Sequence, residues 1–279
     1  MADRGHLYVC ATPIGNLGDI SERLRETLGN VDVLYAEDTR RTAKLLAHLG
    51  LSVPMRSLFS GNESARTAEL LSHLRSGERV ALVSDAGMPS ISDPGTDAVK
   101  LAREAGMAIT VIPGPSAVTM AVALSGFVAD RFVFEGFLPR KGSERQRRIQ
   151  LIAGEERTVV IFASPHRLVA ELEDLAQALG AERDIVVTRE LTKMHEEVWS
   201  GSLADGVEHW GHAAVKGELT LVIAPGTPDA GNLDDAVTHA KALIDAGGAV
   251  SSAARQAAKA TGQSRRAIYE ALIEGQERS

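Results

Sequence analysis

Short apolar runs alternate with amphipathic segments along the first part of the chain. The runs span residues 7–11, 31–36, 80–83 and 109–112. Between them, apolar side chains such as Ile20, Leu24 and Leu28 recur every four residues, which is the spacing of one helix face. Continuous apolar strands separated by helices are typical of α/β folds. The pattern therefore predicts a mostly parallel sheet covered on both faces by helices.

The second half of the chain has a different pattern. Further strands are predicted at residues 132–137, 158–163, 185–188, 198–203 and 219–224. The later strands alternate apolar and polar residues, which favours antiparallel pairing. Residues 225–233 have the composition of a linker. Beyond it, helices at residues 250–259 and 265–273 flank a glycine turn, which is a helix-turn-helix pattern or a helical hairpin that packs on the body.

Composition narrows the class of protein. The 279 residues include a single cysteine, Cys10, so no intramolecular disulfide forms and a reducing cytoplasm is the expected compartment. No apolar run approaches the roughly 20 residues of a membrane helix, and the first residues do not resemble a signal peptide. The net charge of −7 argues against a protein that coats nucleic acid, but it permits a local basic surface.

Glycine- and proline-rich loops follow three of the predicted strands. The first begins Thr12-Pro13-Ile14-Gly15, and it gives G-x-x-G where dinucleotide-binding proteins have G-x-G-x-x-G. The others are residues 84–95 and 113–116. Loops at the carboxyl ends of strands form the ligand crevice of open α/β sheets, so we expect a small-molecule site here.

Several polar residues in these loops have two interpretations. Asp85 either binds a ligand ammonium or hydroxyl group, or it shapes an Asx-turn. The Ser116 hydroxyl is a helix cap or a ligand contact, and both roles can coexist. Asp93 is interpreted as a turn and cap residue only. Glu37 and Asp38 follow the second strand, where they are candidate catalytic groups or the start of a helix.

A basic run follows the strand at residues 132–137. It contains five basic side chains against one acidic: Arg140, Lys141, Arg145, Arg147 and Arg148. A solvated helix face is one interpretation, but we favour a surface that contacts nucleic-acid phosphates. Arg265 and Arg266, near the start of the last helix, are further candidates. His195 and Glu196 lack the spacing of metal ligands, so no metal site is predicted.

Seven segments together resemble one family. They are YVCATPIGNLGDIS (8–21), AEDTRRTAKLL (36–46), VSDAGMPSISDPG (83–95), VIPGPSA (111–117), GFLPRKG (136–142), RELTKMHEE (189–197) and KGELTLVI (216–223). The chain is similar to the ribosomal RNA small-subunit methyltransferase I family of the tetrapyrrole-methylase superfamily. Motifs dispersed in this order are far more specific than any single glycine loop.

The resemblance implies a fold and an activity. The fold would be a two-domain α/β class III methyltransferase, with residues 1–117 and 118–228 forming the cofactor cleft and residues 234–279 forming a helix-turn-helix-like domain. The activity would be S-adenosylmethionine-dependent 2′-O-methylation of a cytidine in the decoding region of 16S rRNA, free or in the small ribosomal subunit. A cytoplasmic homodimer without metal or membrane contacts is expected.

The resemblance also assigns roles to residues. The cofactor would contact thirteen residues: Thr12, Pro13, Gly15, Asp85, Ala86, Gly87, Ile91, Ser92, Pro113, Ser116, Ala117, Phe162 and Leu219. Phe162 and Leu219 would be the walls around adenine. Glu37 or Asp38 is the candidate base, with Arg40 on an RNA phosphate. Lys193 and Glu218 compete with them, and a mechanism without a base is also open.

Two other functions fit parts of the pattern. A tetrapyrrole methylase would share the fold, but it would not need the basic run or the C-terminal helices. A DNA-binding regulator would use the helix-turn-helix pattern, with the α/β body as a ligand sensor.

Overall fold

The first five strands form one parallel sheet. The computed structural model of the chain describes residues 5–212, 214–226, 233–261 and 263–277. The strands are β1 (His6–Cys10), β2 (Val33–Ala36), β3 (Met55–Ser57), β4 (Arg79–Val83) and β5 (Ala108–Ile112). Their spatial order is β3-β2-β4-β1-β5, and every neighbouring pair is parallel. The predicted doubly covered parallel sheet is confirmed.

Helices connect these strands. They are α1 (Glu22–Gly29), α2 (Thr39–Leu49), α3 (Glu63–Arg75) and α4 (Thr96–Glu104), with a short 3-10 turn at Leu17–Asp19. Apolar side chains from both faces of the sheet pack against them, and Leu7 and Leu34 are fully buried. Ser21 caps α1 by accepting from the Leu24 N–H at 3.1 Å. Cys10 is buried in this core, as expected, and burial raises the pKa of its thiol to about 12.

The register of the sheet brings the functional loops together. Val83 at the end of β4 is paired with both Ala36 of β2 and Cys10 of β1, and Cys10 is paired with Ile112 of β5. The four strands therefore end at the same level. The loops that follow them emerge side by side at one edge of the sheet, where ligands bind in open α/β folds.

The second sheet is mixed. It contains β6 (Phe132–Phe137), β7 (Thr158–Ala163), β8 (Asp184–Arg189), β9 (Glu197–Ser202) and β10 (Leu219–Ile223) in the order β6-β7-β10-β8-β9. Only β6 and β7 are parallel, so the predicted antiparallel character of the later strands is confirmed. Its helices are α6 (Ser143–Ala153), α7 (Leu168–Leu179) and α8 (Leu203–Gly211).

Helix α5 (Ala117–Ser125) joins the two sheets. It leaves the loop after β5, and its Val118 and Val122 belong to one apolar cluster with Val160, Val186 and Val222 of the second sheet. Ile14, from the loop after β1, lies in the same cluster. The helix begins where we expected the second domain to begin, and the exact boundary stays a prediction.

Three helices end the described chain. They are α9 (Leu233–Asp245), α10 (Val250–Thr261) and α11 (Arg265–Glu277). Their shared core contains Ala240, Ala254, Ala257, Ile268 and Leu272. Alanine at these positions allows close approach of short helices, which explains why the Ala-rich sequence folds here. Most of the predicted linker, residues 227–232, lies outside the described residues. Within the described chain, no helix is long and apolar enough to cross a membrane.

Candidate active site

A cavity of about 360 Å³ lies where the loops of the first sheet meet the second sheet. The first sheet with its loops, up to the start of α5, is called the first unit. It contributes these lining residues: Ile14, Ala86, Gly87, Met88, Ile91, Ser92, Asp93, Ser116, Ala117 and Val118. The second sheet with its loops and helices α6 to α8 is called the second unit. It contributes these lining residues: Phe137, Phe162, Ala163, Ser164, Pro165, Thr188, Leu191, Gly217, Glu218, Leu219 and Thr220. Apolar walls with a few polar groups are typical of small-molecule sites.

Eight of the thirteen predicted cofactor residues line this cavity. They are Ala86, Gly87, Ile91, Ser92, Ser116, Ala117, Phe162 and Leu219. They come from four different loops and strands, which the register and α5 bring together. Their contact with a cofactor stays a prediction.

Thr12, Pro13, Gly15 and Pro113 do not line the cavity, although Thr12 supports its wall. The Thr12 N–H donates to the Gly87 carbonyl at 2.9 Å, and the Gly87 N–H donates to the Thr12 carbonyl at 3.1 Å. This pairing fixes the glycine loop, in which Gly87 has a φ of 78°. Gly15 lies against the Lys193 side chain, which a Cβ at that position would strike.

Asp85 is not among the residues that line the cavity, and its contact with a cofactor stays a prediction. Its carboxylate accepts a hydrogen bond from the Asp38 backbone N–H at 2.9 Å and lies 3.5 Å from Nε of Arg41. Both partners belong to the segment after β2. The contacts that the structure shows for Asp85 are therefore structural, and they hold this neighbouring loop in place.

Asp93 lines the cavity, although its sequence context indicated a turn and cap residue. The cap of α4 is Gly95, so Asp93 does not occupy that position. Burial raises the pKa of Asp93 to about 7, and the negative charge of Glu37 adds to the effect. Its position in a loop after a buried strand could have indicated a place in the cavity, but the D-P-G motif favoured the interpretation as a turn.

The three predicted catalytic residues do not line the cavity. Asp38 caps α2 by accepting from the Arg40 N–H at 2.8 Å, and its other oxygen binds the Arg40 guanidinium at 2.7 Å. These hydrogen bonds lower the pKa of Asp38 to about 2. A carboxylate this acidic is a poor proton acceptor at neutral pH. The cap interpretation is thus correct for Asp38, and Arg40 is its partner.

Glu37 is half-buried beside this loop. Burial raises its pKa, and the nearby charge of Asp85 raises it further. The side chain therefore contributes a negative charge close to Asp85 and Asp93 and does not neutralise either of them.

The competing base candidates Lys193 and Glu218 form an ion-pair cluster. Lys193 Nζ lies 2.7 Å from Glu190 and 3.0 Å from Glu218. Although burial lowers the pKa of Lys193, its hydrogen bonds to Glu190 and Glu218 outweigh that effect and leave the pKa raised. Lys193 is therefore held as a cation, which cannot accept a proton.

The loops at the cavity have unusual backbone conformations. Ser90, Ser92, Glu190 and Thr192 have φ values between 53° and 71°, a region that side-chain-bearing residues rarely adopt. The Ser90 and Thr192 hydroxyls are buried and have no hydrogen-bond partner among the described residues. Strained residues of this kind persist where the surrounding structure fixes them, often at ligand sites.

Aromatic rings form one wall. The Phe162 ring lies 4.9 Å from that of Phe134 and 5.5 Å from that of Phe137, measured between ring centroids. Phe137 is exposed and extends the wall to the surface. Ser116 occupies the N-cap position of α5, but its hydroxyl makes no capping hydrogen bond, and its contact with a ligand stays a prediction.

The structure divides the basic run. Arg145 is buried, with Nη2 at 2.6 Å from Asp174 and Nη1 at 3.7 Å from the fully buried Glu171. It therefore stabilises the contact between α6 and α7, and its predicted exposure to RNA was wrong. Arg148 is half-exposed and binds Glu135 at 2.6 Å.

Arg140, Lys141 and Arg147 are exposed. A second cavity, of about 690 Å³, opens between α6 and α7, and Arg140 and Lys141 lie on its lining. Arg265 and Arg266 are also exposed, and Arg266 pairs with Glu270 at 2.7 Å. Contact of these side chains with RNA stays a prediction.

Among the residues that the structure describes, no group of three or more His, Cys, Asp or Glu side chains could hold a metal ion.

Comparison with known proteins gives consistent results. A sequence model of the family described as Tetrapyrrole (Corrin/Porphyrin) Methylases matches residues 6–206. Proteins named "Ribosomal RNA small subunit methyltransferase I" match almost the whole chain. The one from Synechocystis sp. is 46% identical over 97% of this chain and 98% of its own length. The one from Escherichia coli O157:H7 is 39% identical over 98% and 96%.

Solved structures resemble more than three quarters of the chain. A cobalt precorrin-4 methyltransferase has a TM-score of 0.61 at 16% identity and covers 78% of this chain and 94% of its own. Uroporphyrin-III C-methyltransferase from Thermus thermophilus, complexed with S-adenosylhomocysteine, has a TM-score of 0.55 at 20% identity and covers 79% and 92%. At this identity the likeness shows the fold.

Proposed function

Because the chain belongs to the ribosomal RNA small subunit methyltransferase I family, within the tetrapyrrole methylases, we propose that it methylates the RNA of the small ribosomal subunit with S-adenosylmethionine. The acceptor that we propose is the 2′-hydroxyl of a cytidine in the decoding region of 16S rRNA. The observation that carries the proposal is the near-full-length similarity to proteins of that name, which extends through the C-terminal helices.

The residues of the 360 Å³ cavity suit this cofactor. Phe162 and Leu219 offer apolar surface to a flat ring such as adenine. Gly87 and Gly217 lie on the lining with positive φ, a conformation that glycine adopts without strain, and at Gly217 the absent Cβ makes room for the Glu190 side chain. Ser92 and Ser116 supply hydroxyl groups on the same lining. We propose that these residues bind the adenosyl and amino-acid parts of the molecule.

The chemistry requires little from the protein beyond positioning. S-adenosylmethionine supplies a methyl group on a sulfonium, which is an activated donor and requires no metal. The enzyme must hold the acceptor hydroxyl in line with that group, exclude water and accept one proton. Ile14, Phe137 and Phe162 supply an apolar part of the lining beside which the acceptor can be held.

The exposed cations provide a surface for RNA. Arg140, Lys141 and Arg147 are exposed on or next to α6, on the second unit, which also lines the cavity. Clustered positive charge in a protein with a net charge of −7 favours local binding to a phosphate backbone. We propose that these residues position the rRNA, and that Arg265 and Arg266 add contacts from the last helix.

The assembly and the compartment are further parts of the proposal. We propose a homodimer, because β5 is an edge strand with exposed Val111, and Leu124 and Val128 expose further apolar surface in and after α5. Sedimentation equilibrium would distinguish dimer from monomer. A ribosomal RNA substrate and a single buried cysteine fit the cytoplasm.

The test is methylation of purified small ribosomal subunits that lack the modification. Nucleosides from subunits incubated with protein and S-adenosylmethionine are analysed by mass spectrometry, with cofactor omitted as a control. We expect new 2′-O-methylcytidine. Methylation of another nucleoside would reject the cytidine assignment. Methylation of uroporphyrinogen, but not of RNA, would favour a tetrapyrrole substrate.

A further inference from the structure

A carboxyl group outside the predicted catalytic set faces the cavity. Of the residues that line it, only Asp93 and Glu218 carry carboxylates. Glu218 is largely exposed and is paired with Lys193 at 3.0 Å. Asp93 is only partly exposed and lies on the same lining as Ile91, Ser92 and Phe162. Its position distinguishes it from Glu37 and Asp38, which lie outside the lining.

The loop that carries Asp93 is held in a fixed conformation. Ser90 and Ser92 have φ values of 71° and 65°, and Gly95 has a φ of 125°. The Gly95 N–H donates to a Glu63 carboxylate oxygen at 2.8 Å, which attaches the loop to α3. Gly136 of β6 approaches the Ser92 hydroxyl closely from the second unit. A group carried on such a loop is positioned before a ligand binds.

The charges around Asp93 are mostly of its own sign. Glu37, Asp85 and Glu218 all act on it as negative neighbours. The cations of neighbouring loops pair with other carboxylates: Arg41 pairs with Asp85, and Lys193 pairs with Glu190 and Glu218. Burial comes first and Glu37 second among the causes that raise the pKa of Asp93 to about 7, while a hydrogen bond with Ser84 opposes them.

We propose that Asp93 is the proton acceptor for methyl transfer, with Glu37, which lies outside the lining, as a like-charged neighbour. This inference rests on the proposed function. In the step, an oxygen–carbon bond forms between the ribose 2′-oxygen and the methyl group as the carbon–sulfur bond breaks. The bonding pair remains on sulfur as a neutral thioether, and the hydroxyl proton moves to the Asp93 carboxylate. The proton then passes to solvent, which restores the carboxylate.

The residue types support these roles. A general base is most effective when its pKa lies near the working pH, and Asp93 meets that condition while Asp38 does not. Glu37 does not line the cavity, so it acts through Asp93 and is a positioning residue. Removal of its charge lowers the pKa of Asp93, because a like charge no longer disfavours ionisation.

The experiment compares Asp93→Asn with Asp97→Asn, an exposed carboxylate in the first turn of α4. Single-turnover rates on small subunits are measured from pH 5.5 to 9, and S-adenosylhomocysteine binding is measured by calorimetry. We expect Asp93→Asn to lose about a hundredfold in rate or more, to bind S-adenosylhomocysteine within about threefold of wild type and to lose the acidic limb of the pH profile. Asp97→Asn should match wild type. Glu37→Gln should retain the limb and shift it to lower pH.

Two results would overturn the proposal. One is an Asp93→Asn protein that retains more than a tenth of the rate. The other is a loss of S-adenosylhomocysteine binding equal to the loss of rate, which would make Asp93 a cofactor ligand. A wild-type protein that does not methylate RNA at all would instead reject the proposed function.

A direct titration covers the case in which the asparagine variant does not fold. Carboxyl carbons of aspartate are labelled with ¹³C in wild type, Glu37→Gln and Asp93→Glu, and the resonance absent from Asp93→Glu is assigned to Asp93. We expect it to titrate near neutrality and to shift to lower pH in Glu37→Gln. Titration below pH 5 in wild type would contradict the proposal.

Discussion

The Asp85 carboxylate accepts a hydrogen bond from the backbone N–H of Asp38 at 2.9 Å. This bond joins the loops that follow β4 and β2, two strands whose ends are paired through Val83 and Ala36. The charged segment after β2 is therefore held beside the cavity loop without entering the cavity. Glu37 belongs to this segment and lies close to Asp85. Burial and the like charge of Asp85 raise the pKa of Glu37.

Replacement of Asp85 by Ala should destabilise the fold and weaken the contact between these two loops. The Asp38 N–H would lose its acceptor, which costs on the order of 1–3 kcal/mol. Urea unfolding at pH 7 measures the change, with Asp97→Ala as the exposed control. If Asp85→Ala had wild-type stability, the bond would not be required to hold the loop.

Replacement of Arg145 by Ala should be far more destabilising than replacement of Arg147. The change removes one of the two arginines that pair with the fully buried Glu171, leaves Arg167 at 3.4 Å as the other, and removes the pair with Asp174. Breaking a buried pair typically costs about 3–5 kcal/mol, whereas exposed substitutions stay within about 0.5 kcal/mol. Chemical denaturation of both variants checks the difference. Equal stability of the two variants would show that the ion pairs of Arg145 do not stabilise the fold.

Replacement of Arg147 by Ala should weaken RNA binding and reduce its salt dependence. Each phosphate contact that is lost lowers the slope of log K against log salt by about 1. Filter binding to 16S rRNA at salt concentrations from about 50 to about 250 mM measures the slope. Arg25→Ala, a similarly exposed arginine on α1, is the control and should leave the slope unchanged. An unchanged slope in Arg147→Ala would assign this residue to a solvated helix face.

The stability of the protein should depend on pH through Asp93. Its folded pKa of about 7 lies above the unfolded value, so between about pH 4 and 7 the folded state holds a proton that the unfolded state releases. Stability from this group is therefore present at low pH and is lost as the pH rises to 7. The Asp93→Asn variant has no titrating carboxyl at this position, so it does not lose this stability as the pH rises. It should be more stable than wild type at pH 8 by on the order of 2–4 kcal/mol, but not at pH 4. Parallel unfolding curves at the two pH values would contradict this result.

Replacement of Phe162 by Ala should weaken cofactor binding about tenfold, which corresponds to about 1.4 kcal/mol. The ring is in the cavity wall between Phe134 and Phe137, and its loss removes apolar contact area. Calorimetry with S-adenosylhomocysteine measures the effect. Phe132→Ala, at the start of β6 and outside the lining, is the control and should bind normally. Equal affinities would exclude Phe162 as an adenine wall.

Local pattern predicted most of the elements. Continuous apolar runs predicted the parallel strands, because strands covered on both faces need no polar side, and alternation predicted the antiparallel ones. Helices were predicted after β1 and β2, and the structure identifies Ser21 and Asp38 as the cap residues of α1 and α2, whose side chains satisfy free N–H groups of the first turn. Family motifs spread over the whole chain identified the family.

The roles of individual charged residues required the tertiary structure. Asp38, Asp85, Asp93 and Arg145 are all polar residues in loops or at helix starts, and the sequence contained no information on which partner each would meet. Asp85 turned toward β2, Arg145 was buried between helices, and Asp93 reached the cavity. Their protonation depends on burial and on charges that are distant in sequence, as Glu37 is from Asp93. The sequence by itself determined the elements, the fold and the family, because these depend on local periodicity and on ordered motifs. Only the packing of the two sheets around α5 decided which carboxylate faces the cavity, because that depends on distances between segments far apart along the chain.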